Sequence, residues 1–137
     1  MPITYHFKPE LNLVVIAHTG SIPDSEFLDS YRALYADDRF DLSMDQLVDL
    51  RCTDSSPRSP STLRQFANFV LHQHIDCTVR SKVAVVAPKD ISFGLARMYE
   101  IFTDTAPWDF VVFRAADAAL AWLGAPENLL DNLDQDD

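Results

Sequence analysis

Residues 82–102 read KVAVVAPKDISFGLARMYEIF and contain one complete strand–helix unit. After Lys82, residues 83–87 form an apolar run, and the predicted strand at 82–87 is typical of a parallel strand covered on both faces. A turn follows at 88–90, and the apolar residues beyond it recur at helical spacing. The predicted buried stripe of this helix consists of Leu95, Met98, Tyr99 and Phe102. A strand followed directly by such a helix predicts an α/β fold.

The same unit recurs on both sides of this stretch. Predicted strands at 13–17 (LVVIA), 44–50 (MDQLVDL) and 110–113 (FVVF) each precede a helical pattern. At the N-terminus, 3–8 (ITYHFK) alternates as a strand does, and the short connection at 9–12 makes the first two strands antiparallel. The predicted order is β-β-α-β-α-β-α-β-α, a five-stranded mixed sheet with mostly parallel strands. Right-handed crossovers would place every helix on one side, so a second subunit is expected to cover the other face.

Length and charge limit the classes of partner. The chain has 137 residues and a net charge of −10, which predicts one domain and argues against nucleic acid or an anionic membrane surface as partner. The acidic excess is concentrated after Gly124, where acids occur without lysine or arginine. We therefore expect a folded domain over 1–124 and an acidic, mobile tail over 125–137.

The cellular location is predicted from what the N-terminus and the cysteines contain. The first ten residues, MPITYHFKPE, have no long apolar region of the kind found in signal peptides. No apolar run approaches the ~18 residues of a membrane span, so we expect no membrane insertion. Two cysteines, Cys52 and Cys77, are too few for a disulfide framework. These features favour a bacterial-type cytoplasmic protein.

Several phrases in this layout are similar to a known family. They are VDLR at 48–51, KVAVVAP at 82–88, FGLARM at 93–98, VFR at 112–114 and AALAWL at 118–123. With the opening hairpin, they make the chain resemble the SpoIIAA-like proteins, relatives of the STAS domains first known as anti-sigma factor antagonists. The resemblance covers about Ile3 to Gly124. It implies a SpoIIAA-like βα superhelix and a non-enzymatic regulatory or protein-interaction module.

In the antagonist branch of that family, a serine at the entry to the second helix is phosphorylated. The resemblance makes Ser55 and Ser56 candidate phosphorylation sites, because they begin the loop SSPRSPS at 55–61. A phosphate there would meet the free N–H groups at a helix N-terminus. The chain departs from the family pattern, since no glycine follows either serine and two prolines interrupt the loop. The alternative is that Ser59 or Ser61 is an ordinary N-cap residue in a solvated loop.

Four basic residues follow the carboxyl ends of predicted strands: Arg51, Arg58, Lys89 and Arg114. Ligands of open α/β sheets bind at that edge, near helix N-termini that favour negative groups. The pattern predicts contacts to a small anionic ligand or an acidic partner segment. The alternative is that nearby carboxylates, including Asp49, Asp54 and Asp90, neutralise these side chains.

The sequence offers little support for metal binding or catalysis. His72 and His74 point about 200° apart on a helix and cannot share an ion there, and no cofactor motif is present. With three glycines, the chain has no nucleophile elbow, P-loop or dinucleotide pattern. Cys52 is read either as a reactive thiol or, preferably, as a structural cysteine. We therefore expect no cofactor, no metal and no catalytic residue.

Large apolar residues outside the predicted core stripes could form an interaction surface. On the third helix, Phe93 and Ile101 flank Arg97, and Trp122 departs from the stripe of the last helix. A wide core stripe is the alternative. The preferred function is a protein-interaction module that pairs with itself as a homodimer or with a regulatory partner. The second interpretation is a protein that binds a small anionic or lipid-like molecule at the carboxyl edge of the sheet.

Overall fold

A computed structural model describes residues 2–55 and 58–133 of the chain. Its strands and helices are β1 (Ile3–Lys8), β2 (Leu13–Ser21), α1 (Asp24–Ala36), β3 (Asp45–Asp54), α2 (Pro60–Gln73), β4 (Ser81–Val86), α3 (Asp90–Phe102), β5 (Trp108–Phe113) and α4 (Ala116–Leu123). The α/β class and the order β-β-α-β-α-β-α-β-α are confirmed. The observed β2, β3 and β5 are longer than their apolar runs, because their ends carry polar or aromatic residues that still pair in the sheet.

The five strands form one mixed sheet in the order β1-β2-β3-β4-β5. β1 and β2 are antiparallel, whereas β2–β3, β3–β4 and β4–β5 are parallel. The hairpin is tight because a 3-10 turn at Pro9–Leu11 ends at Asn12, which adopts a left-handed conformation with φ of 49°. Asparagine tolerates this region better than most residues do. The predicted mixed, mostly parallel sheet is therefore confirmed.

Helices α1, α2 and α3 cover one side of the sheet, which we call the first face. Alternate strand residues point to it, among them Val14, Ile16, Val83 and Val85, and pack with aromatic side chains of the helices in one apolar cluster. Phe27 and Tyr31 of α1 and Phe66 of α2 form its centre, with Phe27 and Phe66 centroids 4.9 Å apart. Burying a large apolar side chain stabilises by roughly 1.5–3 kcal/mol, so this cluster is a principal source of stability.

The opposite side of the sheet, the second face, is covered by α4 and the segment after it. Ala119 and Leu120 of α4 pack on Leu13, Val15 and Leu47, together with residues beyond Gly124. The prediction that every helix lies on one side is wrong for α4. The crossover rule constrains a helix that joins two parallel strands, and α4 follows the last strand, so it is free to cross to the other face.

Part of the C-terminal segment contacts the second face. Leu129 is buried, and Ala125, Leu130 and Leu133 pack against the same cluster. Gly124 ends α4 in a left-handed conformation with φ of 71°, which turns the chain back toward the sheet. The domain boundary at 124 and the mobility of the tail remain predictions, and residues 134–137 lie outside the described part.

In the part of the chain that the structure describes, no helix is both long enough and apolar enough to cross a bilayer.

Candidate functional site

The carboxyl edge of the sheet is built by the ends of β3 and β4 and by the beginnings of α2 and α3. The N-cap of α2 is Ser59, whose hydroxyl accepts a hydrogen bond of 3.2 Å from the Thr62 backbone N–H. Pro60 follows at the first helical position, where its missing N–H costs nothing. Ser59 is thus an N-cap residue, as the alternative interpretation of this loop predicts.

The carboxylate of Asp24, the first residue of α1, connects α1 with α2. It accepts hydrogen bonds from Arg58 Nη1 (2.7 Å), Thr62 Oγ1 (2.8 Å) and the Ser59 hydroxyl (3.2 Å). Burial on its own would raise the pKa of Asp24, but the hydrogen bonds from Thr62 and Arg58 and the charge of Arg58 outweigh it and lower the pKa. Asp24 is therefore an ionised anchor for the loop before α2.

Arg58 is held inside the protein by three kinds of contact. Besides Asp24, its guanidinium donates to the carbonyl oxygen of Ile22 at 3.0 Å and stacks over the Phe27 ring, 4.0 Å from the centroid. Only 7% of its side chain is exposed. A desolvated cation on an aromatic face is held more firmly than an exposed one. Arg58 is therefore a fixed positive group beside the core of the first face.

Two further hydrogen bonds tie the end of β3 to α3. The Ser55 and Ser92 hydroxyl oxygens are 2.7 Å apart, and Lys89 Nζ donates to the Thr53 carbonyl oxygen at 2.9 Å. The Ser92 residue is buried, whereas Ser55 is half-buried. Ser55, a predicted phosphorylation site, therefore has its hydroxyl engaged with a buried neighbour, and Ser56 lies outside the described residues.

Beneath this edge, a cavity of about 90 Å³ lies between the first face and helices α1–α3. A buried water needs roughly 10–15 Å³ of such space, so the cavity is large enough for several waters or for a short apolar part of a molecule. Most of its wall is apolar, with Val48, Val85, Phe66, Tyr99 and Phe110 among the lining residues. A small, mostly apolar space inside the core is suited to binding an apolar group.

Polar side chains occur along the cavity wall: Gln46 lines it near the start of β3, and a group of four lines it toward the carboxyl edge. Thr53, Ser55, Arg58 and Ser92 all line the cavity there. At the other end lies Trp108, the first residue of β5, which pairs with Ser81 at the start of β4. The cavity thus has a polar end containing one fixed cation and an aromatic end near the amino termini of the strands.

Burial shifts the pKa values of one histidine and two tyrosines on the cavity wall. Burial, together with the charge of Arg58, lowers the pKa of His18 to about 3. Its Nε2 shares a 2.8 Å hydrogen bond with the Tyr31 hydroxyl, and burial raises the pKa values of Tyr31 and Tyr99. Proton transfer near pH 7 is most efficient for groups whose pKa lies near 7. These three side chains are therefore poorly suited to acid–base catalysis.

The four predicted anion-binding residues are each held by a different partner within the protein. Arg51 alternates with Leu50 along β3 and forms a bidentate pair with Asp49 (2.9 and 3.0 Å), which raises the Arg51 pKa. Arg114 pairs with Asp90 at 2.8 Å and stacks over Phe93, 4.0 Å from its centroid. The predicted neutralisation is thus present for Asp49 and Asp90. Of the set, Arg58 lines the cavity.

The predicted apolar surface on α3 divides into a packed part and an exposed part. Phe93 is half-buried in the core of the first face, and Trp122 packs against Phe113 on the second face. Ile101 is 68% exposed, and Ile91, which the sequence analysis did not single out, is 58% exposed. Arg97 lies between them in the sequence and is also exposed, 3.5 Å from Glu100.

His72, His74, Cys52 and Cys77 are not among the residues that line the cavity. His74 is buried and shares a 2.9 Å hydrogen bond with the Tyr35 hydroxyl, whereas His72 is exposed. Cys52 and Cys77 are free thiols. Among residues 2–55 and 58–133, no group of three His, Cys, Asp or Glu side chains is arranged to hold a metal ion.

Sequence reasoning missed several residues that define the cavity. The sequence patterns do not single out His18 and Trp108, which line the cavity, or Asp24, which fixes Arg58 at its edge. These residues come from α1, β2 and β5, and their contacts depend on how the helices cross the sheet. The pairing of Asp24 with Arg58 spans 34 residues, a separation at which local periodicity gives no information.

Comparison with solved structures identifies the architecture. An uncharacterised protein of the DUF3478 family from Shewanella loihica PV-4, described as having a SpoIIAA-like fold, matches with a TM-score of 0.58. The match covers 88% of this chain and 91% of that chain, at 15% sequence identity. The fold is SpoIIAA-like. This confirms the fold that the sequence resemblance implied.

The SpoIIAA-like fold does not by itself assign an activity. At 15% identity the similarity applies to the fold alone, and the function must be argued from this chain's own side chains. No protein-family profile matches the sequence. No curated protein matches it either. The cavity and the helix surface above are therefore the features from which a function is inferred.

Proposed function

We propose that this SpoIIAA-like protein is a non-catalytic binding module that holds a small apolar molecule with an anionic head group. The observation that carries the proposal is the cavity under α1–α3, with its apolar wall and a fixed cation, Arg58, at one end. The apolar part of the ligand would fill the space beside Phe66 and Tyr99. Its head group would lie at the carboxyl edge, among the Thr53, Ser55 and Ser92 side chains.

The charges at the polar end favour an anionic head group. Arg58 is paired with one carboxylate, Asp24, yet it also lies beside the N-termini of α1 and α2, whose dipoles favour negative charge. Hydroxyl groups of Ser55 and Ser92 can reorient to donate to a ligand oxygen, at the cost of their mutual hydrogen bond. A cationic head group would be repelled by Arg58 and by the positive ends of the helix dipoles.

Titration calorimetry with octanoate and octylammonium tests this proposal on the full chain. We expect saturable binding of octanoate and weaker binding of octylammonium. The variant Ala96→Leu extends a buried side chain of α3 into the cavity and should abolish octanoate binding. Ala118→Leu, at an exposed position of α4, is the matched control and should bind like the unaltered protein. Octanoate binding that is absent, or unaffected by Ala96→Leu, would contradict the proposal.

A second candidate function, a regulatory protein-interaction module, is supported by the outer surface of α3. Ile91 and Ile101 are large apolar side chains with 58% and 68% exposure, on a helix whose other side packs in the core. Exposed apolar residues on one helix can mark a docking surface. We propose self-association through this surface. Light scattering at high concentration should detect a dimer that is lost in Ile91→Ser/Ile101→Ser, whereas a strict monomer would exclude it.

A further inference from the structure

Trp108 has a buried hydrogen-bond donor without an acceptor. The residue is 6% exposed and lines the cavity, and its indole Nε1 has no hydrogen-bond partner within the described residues. Its ring is packed from the side by His74, with centroids 5.1 Å apart at an interplanar angle of 72°. The Nδ1 atom of His74 is itself buried without a hydrogen-bond partner, so this neighbouring ring does not accept the indole N–H.

Such a group is unusual in a folded protein. Buried tryptophan N–H groups normally find a partner, and leaving a buried donor unpaired costs about 1–3 kcal/mol. Placing an acceptor beside the indole would remove this penalty. The unpaired donor therefore indicates where an acceptor atom is missing, and the cavity that Trp108 lines is the space in which one could lie.

The position of Trp108 fixes which part of a ligand would supply that acceptor. Arg58 lies before α2 at the carboxyl edge, whereas Trp108 begins β5 opposite Ser81, at the amino end of the parallel strands. Both residues line the same cavity. A ligand whose anionic head lies near Arg58 would extend its far end toward Trp108, with Tyr99 and Phe110 along its middle.

We propose that the Trp108 indole N–H determines ligand specificity, by selecting an anionic molecule that carries a hydrogen-bond acceptor at the end distal to its charge. The inference rests on the proposed cavity function and names the ligand class: a short apolar carboxylate, or similar anion, with a carbonyl or ether oxygen at its far end. A molecule without the distal acceptor binds more weakly, because it buries Nε1 against hydrocarbon.

The test compares octanoate with 7-oxooctanoate, which differs by one carbonyl oxygen near the distal end. Titration calorimetry on the unaltered protein should show about 10-fold tighter binding of 7-oxooctanoate, which corresponds to ~1.4 kcal/mol. Trp108→Phe keeps an aromatic ring but lacks the donor, and this variant should bind 7-oxooctanoate and octanoate with about equal affinity. Trp122→Phe changes the other tryptophan, on the second face, and should keep the full preference.

A measurement on the unaltered chain makes the result independent of how well the variant folds. In a ¹⁵N-correlated NMR spectrum, the Trp108 indole proton should move downfield on adding 7-oxooctanoate, and should not do so on adding octanoate. Both probes binding with equal affinity would overturn the specificity inference and leave the cavity proposal intact. A water molecule bound to Nε1 would produce that result. Neither probe binding would overturn both proposals.

Discussion

The substitution Ala96→Leu tests whether the cavity is empty, because the change in the free energy of unfolding should be a gain if the space is empty and a loss if it is already filled. Ala96 is a buried residue of α3 that lines the cavity opposite the sheet. Leucine adds three carbon atoms at this position without greatly changing helix propensity, because alanine and leucine are both strong helix formers. The change in the free energy of unfolding therefore reports on the space that surrounds the side chain.

The cavity volume sets the magnitude of the expected gain. Empty core volume costs about 24 cal/mol per Å³, so filling the cavity of about 90 Å³ completely would stabilise the fold by ~2 kcal/mol. Leucine fills part of the space and loses some rotamer freedom, so we expect a gain of about 0.5–1.5 kcal/mol. Adding the same atoms to a fully packed core costs about 1–3 kcal/mol.

Urea denaturation of the unaltered protein, Ala96→Leu and Ala118→Leu measures this difference. The transition midpoint of Ala96→Leu should rise while the m-value stays constant. In a thermal scan, the gain corresponds to a rise in Tm of roughly 2–8 °C. Ala118→Leu lies on the exposed side of α4 and should change stability by less than about 0.5 kcal/mol. A loss of about 1 kcal/mol or more in Ala96→Leu would refute the reasoning, because it would mean that the core under α3 is already full.

Three further predictions concern stability. Folded His18 has a pKa of about 3, so as the pH falls below 6.5 this side chain is protonated in the unfolded chain before it is protonated in the folded protein. The free energy of unfolding should therefore be unaffected by His18 above pH 6.5 and should fall by up to ~1.4 kcal/mol per pH unit between pH 6.5 and pH 3. Urea titrations at several pH values should show a smaller slope for His18→Gln. Asp24→Asn leaves buried Arg58 without its counter-ion and should cost about 2–4 kcal/mol in the same assay. Leu129→Ala removes a buried side chain from the second face and should cost about 2–3 kcal/mol.

Each of these has a matched control or a contrary outcome. Exposed His72→Gln is the matched control, and an equal slope in both histidine variants would count against His18 as its source. Asp109→Asn breaks an exposed pair with Arg80 and should cost less than about 1 kcal/mol. If Asp24→Asn also costs less than about 1 kcal/mol, the Asp24–Arg58 pair is screened by solvent as the exposed pair is. A neutral Leu129→Ala would mean that residues after Gly124 contribute nothing to the domain's stability, as expected for a mobile tail.

Local pattern was sufficient for most of the fold. The apolar runs at 13–17 and 83–87 predict strands covered on both faces, and the short connection at 9–12 makes the first two strands antiparallel. The position of α4 could not be read in this way. The apolar stripe that contains Ala119 and Leu120 predicts that one side of α4 is buried. Because no strand follows α4, the helix can pack on either face of the sheet.

The candidate site was predicted less completely than the fold, because its properties depend on pairings across the sequence. Arg58 and Lys89 follow the ends of β3 and β4, whereas Arg51, predicted to lie beyond its strand, lies within β3 because the strand continues to Asp54. Sequence spacing does not say which of these cations has a counter-ion. Arg51 meets Asp49 two residues away, a contact that its neighbours suggest. Arg58 meets Asp24 from α1, which becomes visible once the helices are packed.

An unpaired donor is invisible to sequence analysis, because tryptophan in a strand reads only as a large apolar residue. Its meaning comes from two facts that the fold supplies together: Trp108 is buried, and no acceptor among the described residues reaches Nε1. Phenylalanine would fill nearly the same place without a polar group to bury, so a purely structural role does not require the indole. The donor is retained at a cost of about 1–3 kcal/mol in the empty protein, and recovering that free energy when a ligand supplies the acceptor is a direct physical reason for its presence.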